Sequence, residues 1–211
     1  MKQYIVLAGN IGAGKSTLVS RISDRLGWKP YYEPVSENPY LEDFYSDMKR
    51  WAFHSQLYFL TDRLRIHKEL QDFQGSVVQD RSVYEDAEVF ARNLFLQGAI
   101  SARDFDTYQG VYRVFLSFLQ PPDLIVYLRA SLGVLKNRIA MRGRGFEASI
   151  PDEYLDGLNR LYEAWIERFT SCPVLTVDAG EVDIVTRSED LERVAEMIQE
   201  RLKGKQQELF A

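Results

Sequence analysis

A glycine-rich loop near the start of the chain constrains the fold more than any other feature. Residues 9–17 read GNIGAGKST and fit the pattern G-x-x-x-x-G-K-[ST]. The apolar run 4–8 before the loop predicts a buried strand, and residues 17–26 after it predict a helix that ends at Gly27. In this arrangement the backbone N–H groups of the loop and the N-terminus of the helix surround phosphate oxygens. We therefore expect a nucleoside triphosphate to bind at this loop.

Two side chains of the loop have separate predicted roles. Lys15 is expected to reach the β- and γ-phosphates, and the Ser16 hydroxyl is expected to bind Mg²⁺. The alternative is a glycine-rich turn with an unrelated lysine, which is disfavoured because the flanking strand and helix agree with the pattern. The loop residues predicted to bind the triphosphate are Gly9, Asn10, Ile11, Gly12, Ala13, Gly14, Lys15, Ser16 and Thr17.

The composition narrows the class of protein. The chain has 211 residues, which suits a single domain. A net charge of −5 argues against a broad surface for nucleic acid or anionic membranes. Cys172 is the only cysteine, so an intrachain disulfide and a cysteine zinc site are both excluded. No apolar run approaches the ~18 residues of a spanning helix, and no room for a signal peptide precedes the first strand, so we expect a cytoplasmic protein.

Short apolar runs alternate with longer helical patterns along the chain. This alternation predicts an α/β fold of three layers, with a five-stranded parallel sheet flanked by helices. The predicted strands cover residues 4–8, 29–32, 76–79, 123–128 and 173–177. Further helices are predicted over residues 51–73, 84–96, 104–119, 132–141, 152–169 and 190–202. We expect one domain over residues 1–203 and a polar tail over residues 204–211.

Charged side chains follow the predicted strands at the edge of the sheet where ligands bind. Asp80 ends the third strand and indicates a second ligand for Mg²⁺, although a strand-end Asp can also cap a turn. Arg81 follows it, and a planar guanidinium suits a phosphoryl group or an attacking oxygen.

Glu33 ends the second strand, before a proline. Its carboxylate could accept a proton from an attacking hydroxyl, and the alternative is a surface glutamate. Spacing alone leaves either Glu33 or Asp80 as the base. Our hypothesis is that Glu33 is the base and that Asp80 binds mainly the metal.

The densest basic stretch lies within residues 136–147. Arg138 and Arg142 are four residues apart and share one helix face, and Arg144 follows Gly143. A basic helix that leads into a glycine-containing loop predicts a lid that closes over phosphates and excludes water. The alternative is a solvated basic helix face.

The longest predicted helix carries polar residues that could contact a nucleobase. Gln56 and Arg63 are seven residues apart, two turns along one face, and an Arg63–Asp86 pair could read a donor and acceptor pattern. The alternative is that these are plain surface residues. Four aromatic residues are candidates for the walls of a pocket, or for core positions: Tyr45, Trp51, Phe53 and Phe90.

Together these segments resemble the deoxynucleoside kinases, which phosphorylate the 5′-hydroxyl of deoxyribonucleosides. The segments occur in the order and with the spacings typical of that family, and they cover most of the chain. The resemblance implies a phosphate-loop kinase fold with a basic lid, ATP as phosphoryl donor, Mg²⁺, and a homodimer through the helices near residues 84–119. The matching segments are residues 9–17, Glu33-Pro34-Val35, Tyr45, residues 51–56, residues 80–86 and residues 138–147.

The resemblance also implies a role for each matching side chain. Glu33 is similar to the base that accepts the 5′-hydroxyl proton, and Arg81 is similar to the residue that holds the 5′-oxygen and the phosphate. Tyr45 and Glu147 resemble the pair that binds the sugar 3′-hydroxyl. The remaining implied contacts are to the acceptor base for Gln56, Arg63, Asp86 and Phe90, to ATP for Arg138, Arg142 and Arg144, and to the donor adenine near residues 180–183.

One departure separates the chain from animal members of the family, which commonly carry Glu-Arg-Ser in place of residues 80–82. The shorter Asp80 affects the metal geometry or the assignment of the base. The Asp form is familiar in bacterial members, and residues 53–60 and 79–86 look most like those of deoxyadenosine kinases. The resemblance therefore implies deoxyadenosine as the preferred acceptor, with deoxycytidine or deoxyguanosine as further candidates, and the Arg63–Asp86 pair disfavours thymidine.

Two other classes of protein share part of this pattern. A nucleoside monophosphate kinase of the thymidylate kinase kind has the same loop, acidic strand ends and basic lid, but Tyr45 and Glu147 suit a neutral sugar better than an acceptor phosphate. A GTP-binding switch needs an Asn-Lys-x-Asp motif, which the chain lacks. A non-catalytic nucleotide sensor would not need Glu33 and Arg81 together with that sugar-binding pair.

Overall fold

A five-stranded parallel sheet lies at the centre of the fold. The computed structural model describes residues 2–34, 37–147 and 149–209, with side chains up to residue 204. The strands are β1 Tyr4–Gly9, β2 Lys29–Tyr31, β3 Val77–Asp80, β4 Leu124–Arg129 and β5 Val174–Asp178. They follow the order β2-β3-β1-β4-β5, and each neighbouring pair is parallel. The bounds agree with the five predicted runs to within one residue, so the predicted fold class is confirmed.

Helices cover both faces of the sheet. They are α1 Lys15–Leu26, α2 Leu41–Ser46, α3 Met48–Asp72, α4 Val83–Glu85, α5 Arg92–Leu96, α6 Ala102–Leu116, α7 Leu132–Arg142, α8 Asp152–Arg168 and α9 Ser188–Leu209. A π-helical segment, Asp86–Ala91, joins α4 to α5, and a 3₁₀ turn, Gly145–Glu147, follows α7. Within the described ranges, no helix has the length and apolar character needed to cross a membrane.

The central strand β1 divides the core into two halves. Side chains alternate between the faces of a strand. Ile5 and Leu7 therefore pack with apolar residues of α1 and α9, whereas Val6 and Ala8 pack with residues of α3, α6 and α8. Because all four side chains are fully buried, β1 is covered on both sides, as the predicted three layers require.

Two helical elements differ from the prediction. The sequence does not predict α2, because six residues are too few to show a helical period. The helix predicted over residues 84–96 is interrupted by the π-helical segment Asp86–Ala91. That segment contains both Asp86 and Phe90, and π-helical turns are frequent at functional sites.

The last helix is longer than predicted. It continues to Leu209, past the predicted end at Leu202 and into the segment predicted as a polar tail. Phe210 and Ala211 lie outside the described residues, as does Val35 of the Glu33-Pro34-Val35 segment. The division of the chain at residue 203 stays a prediction.

Candidate active site

The loop between β1 and α1 is built around glycines that approach other parts of the backbone closely. Gly9 has a φ of 148° and Gly12 a φ of 82°. A Cβ atom on Gly9 would lie 2.8 Å from the carbonyl oxygen of Leu128, and one on Gly12 would lie 2.8 Å from that of Leu135. Residues with side chains are therefore excluded at both positions, and the loop is held against β4 and α7.

Lys15 lies inside this loop. Its Nζ donates to the carbonyl oxygens of Gly9 and Asn10, at 2.8 and 3.0 Å. Burial, with the positive charge of Arg81, lowers the pKa of Lys15 to about 8. A phosphate anion placed at the loop would favour the charged form of this amine, so anion binding and protonation of Lys15 support each other.

Ser16 and Asp80 form a small oxygen cluster at the same edge of the sheet. The pairing of β1 with β3 sets Asp80 beside Leu7, close to the loop. Ser16 Oγ donates to Asp80 Oδ2 at 2.5 Å, and Asp80 Oδ1 is buried with no hydrogen-bond partner among the described residues. A hydroxyl and a carboxylate are hard oxygen ligands of the kind that Mg²⁺ prefers, so the two side chains fit the predicted metal.

A buried arginine joins two of the predicted site carboxylates. Arg63 Nη2 donates to Glu33 Oε1 at 2.5 Å, and Arg63 Nε donates to Asp86 Oδ2 at 3.1 Å. The side chain of Arg63 is only 1% exposed. The sequence predicts the contact with Asp86, but it does not predict the contact with Glu33. Glu33 lies between β2 and α2, Arg63 lies on α3, and the spacing of residues along the chain does not show that these segments meet.

The two carboxyls bound by Arg63 have pKa values shifted in opposite directions. Burial alone would raise the pKa of Glu33, but Arg81, Arg63 and Lys15 together outweigh burial and lower it to about 2. For Asp86, burial dominates over Arg63 and raises the pKa to about 6. Glu33 is therefore an ionised carboxylate throughout the physiological range of pH, whereas Asp86 is ionised at neutral pH and titrates just below it.

Arg81 has an unusual backbone that directs its side chain into the site. Its φ of 64° lies in the left-handed region, which residues other than glycine seldom adopt. Its guanidinium carbon lies 4.0 Å from the centroid of the Phe90 ring, and its Nε lies 3.5 Å from Glu33 Oε1. The arginine is buried, so its charge faces the site rather than bulk water.

Two cavities meet at the loop. The donor cavity, of about 400 Å³, is lined by loop residues, by lid arginines and by the segment after β5. The acceptor cavity, of about 90 Å³, lies on the other side of the loop. Gly12, Lys15 and Ser16 line both cavities, as do Arg142 and Arg144. A phosphoryl group held at the loop therefore faces both spaces.

The acceptor cavity contains most of the residues predicted to bind an acceptor. The predicted residues that line it are Glu33, Tyr45, Gln56, Arg81, Asp86, Phe90 and Glu147. Arg63 contacts two of them from behind. The sequence misses four further lining residues, because each occurs in an apolar pattern that looks like ordinary core: Leu41, Phe44, Phe59 and Tyr154.

Two predicted aromatic walls lie elsewhere. Trp51 stacks on Tyr40, with ring centroids 5.7 Å apart, and Phe53 meets His54 edge-on. Neither Trp51 nor Phe53 lines the acceptor cavity, so of the two alternatives that the sequence leaves open, the core position fits these residues. Both residues lie on α3 and pack as partly buried side chains against the core.

The lid arginines have separate partners. Arg138 donates to the main-chain oxygens of Ala13 and Ala179, at 2.8 and 2.6 Å. Arg142 Nη2 donates to Glu147 Oε2 at 2.6 Å, and Arg144 Nη1 lies 3.3 Å from Glu147 Oε1. Arg138 lines the donor cavity, and the other two arginines line both cavities. All three are therefore at positions from which a guanidinium can reach a triphosphate.

The fold and the site define a phosphate-loop phosphotransferase, with a donor cavity and an acceptor cavity on either side of one loop. The model of the family "Deoxynucleoside kinase" matches residues 5–203. The chain therefore belongs to the deoxynucleoside kinase family, and it is an ATP-dependent deoxynucleoside kinase.

Named relatives cover nearly the whole chain. The deoxyadenosine/deoxycytidine kinase of Bacillus subtilis (strain 168) is 38% identical over 196 residues, which are 92% of this chain and 90% of that protein. The deoxyguanosine kinase of the same organism is 34% identical over 202 residues, 93% of this chain and 96% of that protein. The structure of deoxyadenosine kinase from M. mycoides with bound dATP matches with a TM-score of 0.83 and 32% identity, over 93% of this chain and 99% of that chain.

Removal of the shared arginine tests the charge network. We expect Arg63→Met to lower the free energy of unfolding by roughly 3–5 kcal/mol, because it leaves the buried Asp86 without its cation and removes one of the two arginines that contact Glu33. The matched control is Arg65→Met on the same helix, whose side chain is 58% exposed and pairs with Asp62 and Glu69. It should cost about 1 kcal/mol or less. Urea unfolding of both variants measures the difference, and equal losses would contradict the network.

Proposed function

We propose that this kinase prefers deoxyadenosine as its phosphoryl acceptor, accepts deoxycytidine and deoxyguanosine less well, and serves nucleotide salvage. One observation carries the proposal: Gln56 Oε1 is buried without a hydrogen-bond partner among the described residues, and Gln56 lines the acceptor cavity with Asp86. An amide side chain can donate one hydrogen bond and accept another. Adenine and cytosine both present an amine beside a ring nitrogen that accepts.

The charge of Asp86 supports the same choice of base. With a pKa of about 6, its carboxyl is mainly ionised at neutral pH and can only accept hydrogen bonds. The amine of adenine or cytosine can donate to it, whereas the carbonyl oxygen at the same place in thymine would face a negative charge. Guanine also carries a carbonyl oxygen where adenine carries its amine, so this contact favours adenine and cytosine over guanine. The names of the similar Bacillus subtilis proteins, a deoxyadenosine/deoxycytidine kinase and a deoxyguanosine kinase, cover all three of these bases.

In the proposed reaction, the 5′-hydroxyl of the acceptor attacks the γ-phosphorus of ATP, and Glu33 accepts its proton. The low pKa of Glu33 keeps it ionised, so it orients the hydroxyl before transfer. Phosphoryl transfer passes through a loose transition state that depends on position and charge more than on early proton removal. Arg81 stabilises the charge of the transferred group from the acceptor side, and Lys15 does so from the loop.

Ser16 and Asp80 are the proposed protein ligands of Mg²⁺. When bound there, the metal would neutralise charge on the β- and γ-phosphates. Arg138, Arg142 and Arg144 are proposed to contact the triphosphate, and the lid is proposed to exclude water so that phosphate passes to the hydroxyl. Tyr45 and Glu147 are proposed to bind the 3′-hydroxyl of the sugar, and Phe90 to pack on the base. The cytoplasmic location stays a prediction.

The choice of acceptor is tested by kcat/KM for the four deoxyribonucleosides, with dTMP as a control. We expect the largest value for deoxyadenosine, and a value for thymidine at least about a hundredfold lower, because an unpaired polar group in a dry cavity is costly. A preference for thymidine would refute the roles of Gln56 and Asp86. Turnover of dTMP alone would favour a monophosphate kinase of the thymidylate kinase kind.

The roles of the two carboxylates are tested by Glu33→Gln and Asp80→Asn. We expect Glu33→Gln to lower kcat by about a hundredfold or more at saturating Mg²⁺, because the proton acceptor is lost. Asp80→Asn should also lower kcat, and it alone should raise the Mg²⁺ concentration needed for half-maximal rate. Glu37→Gln, at an exposed position on the same segment, is the control. Near-normal kcat for Glu33→Gln with loss in Asp80→Asn would reverse the two roles.

The resemblance to the family also supports a homodimer, which we propose to form through α5, α6 and the residues after α6. Three large apolar side chains are exposed there: Leu96 by 63%, Val114 by 61% and Phe118 by 58%. We expect Val114→Glu to shift the mass measured by light scattering towards the monomer. Gln199→Glu adds the same charge to an exposed position of α9 and should leave the mass unchanged. A monomeric wild-type protein would refute the dimer.

A further inference from the structure

The first glycine of the phosphate loop is held by two buried side chains outside both cavities. The Gly9 N–H donates to Glu85 Oε1 at 3.2 Å. Tyr162 Oη lies 2.8 Å from the Gly9 carbonyl oxygen and 2.8 Å from the same Glu85 oxygen. The Gly9 carbonyl also accepts from Lys15 Nζ. Both polar groups of the Gly9 backbone therefore contact the Glu85–Tyr162 pair, at the point where the lysine is held.

The second carboxylate oxygen of Glu85 holds the opposite side of the site. Glu85 Oε2 accepts from the Ser82 backbone N–H at 2.8 Å and lies 3.3 Å from Ser82 Oγ. Ser82 directly follows Arg81, whose backbone is left-handed. One carboxylate thus bridges the segment that carries Lys15 and the segment that carries Arg81.

Capping of α4 does not account for this arrangement. A capping box needs only the reciprocal contacts between Ser82 and Glu85, and it requires neither the contact of Glu85 with Gly9 nor that with Tyr162. Here both Glu85 and Tyr162 are fully buried, and neither lines the donor or the acceptor cavity. Burial raises the pKa of the Glu85 carboxyl, although Arg81 and Lys15 act against this shift. Burial of a carboxylate costs free energy unless its hydrogen bonds compensate, so the contacts of Glu85 beyond the helix cap indicate its role.

We propose that Glu85 and Tyr162 are positioning residues for phosphoryl transfer, which hold the Lys15 loop and the Arg81 turn at a fixed separation. Lys15 acts on the donor side and Arg81 on the acceptor side, so their separation sets the alignment of the attacking oxygen with the phosphate. Transfer of this kind depends on alignment, and a displacement of about 1 Å can cost about a hundredfold in rate. The pair touches neither nucleoside nor nucleotide, and it acts through the backbone of Gly9 and Ser82.

The main test is Tyr162→Phe, with Tyr127→Phe as a matched control. Tyr127 is also buried, stacks on Tyr162 with centroids 5.6 Å apart, and donates its hydroxyl to Glu163 instead of to the loop. Both variants remove one tyrosine hydroxyl from the same aromatic stack, but only Tyr162→Phe removes contacts with Gly9 and Glu85. We expect Tyr162→Phe to lower kcat about tenfold or more with the KM of the deoxyribonucleoside within threefold of wild type. Tyr127→Phe should keep kcat within twofold.

Glu85→Gln is the second variant. Its amide nitrogen would meet a backbone N–H of Gly9 or Ser82 in place of an acceptor, so we expect a loss of kcat at least as large as in Tyr162→Phe, again with little change in nucleoside KM. If this variant does not fold, Tyr162→Phe decides. Equal kcat for Tyr162→Phe and Tyr127→Phe would overturn the proposal, as would a loss that appears mainly as a raised nucleoside KM.

The assay uses whichever deoxyribonucleoside the wild-type protein phosphorylates fastest. The inference rests on the kinase reaction of the family and not on the proposed preference for deoxyadenosine. An error in the acceptor base would therefore appear in the wild-type comparison of four nucleosides, whereas an error in the positioning role would appear only between the two tyrosine variants.

Discussion

The contact of one buried guanidinium with two carboxylates determines how the rest of the site is arranged. Arg63 binds Glu33 and Asp86 in a region that is nearly closed to water, where uncompensated charge would be too costly to keep. The two acids nevertheless differ chemically, because Arg81, Arg63 and Lys15 lower the pKa of Glu33, whereas burial outweighs Arg63 and raises the pKa of Asp86. The acid proposed to accept the hydroxyl proton and the acid proposed to contact the base are thus held by one guanidinium, through its Nη2 and Nε donors.

The sequence predicts the frame of this protein well because the frame depends on local patterns. The glycine loop, the apolar runs and the residues at the strand ends can each be recognised from a few neighbouring residues. The parallel sheet then brings the loop and the strand ends together at one edge. Contacts between segments that are distant in the sequence are harder to predict. The contact between Arg63 and Glu33 depends on how α3 lies against the end of β2. The sequence also leaves Trp51 and Phe53 as either pocket walls or core, because a helical period does not tell which apolar residues meet a cavity.

The family relationship and the site chemistry constrain different parts of the function. Relatives named for deoxyadenosine, deoxycytidine and deoxyguanosine share the fold over more than nine-tenths of the chain, so the fold does not choose the base. In the proposed mode of binding, that choice depends on a few polar atoms of the acceptor cavity, above all those of Gln56 and Asp86. The donor cavity is larger and is lined by the phosphate loop, by three lid arginines and by aliphatic side chains, and none of these depends on the identity of the acceptor. The phosphate loop lines both cavities, so the same loop residues serve any acceptor that the smaller cavity admits.

The π-helical segment Asp86–Ala91 has a consequence for how such sites change in evolution. A widened turn contains one residue more than an α-helical turn, and one residue corresponds to a rotation of about 100° along an α-helix. A deletion within the segment would restore a plain helix, move Asp86 relative to Phe90, and turn α5 with its exposed Leu96. The proposed base contacts and the outer surface of α5 are therefore linked through one stretch of backbone: a single-codon deletion here would alter both at once, whereas point substitutions can alter either one alone.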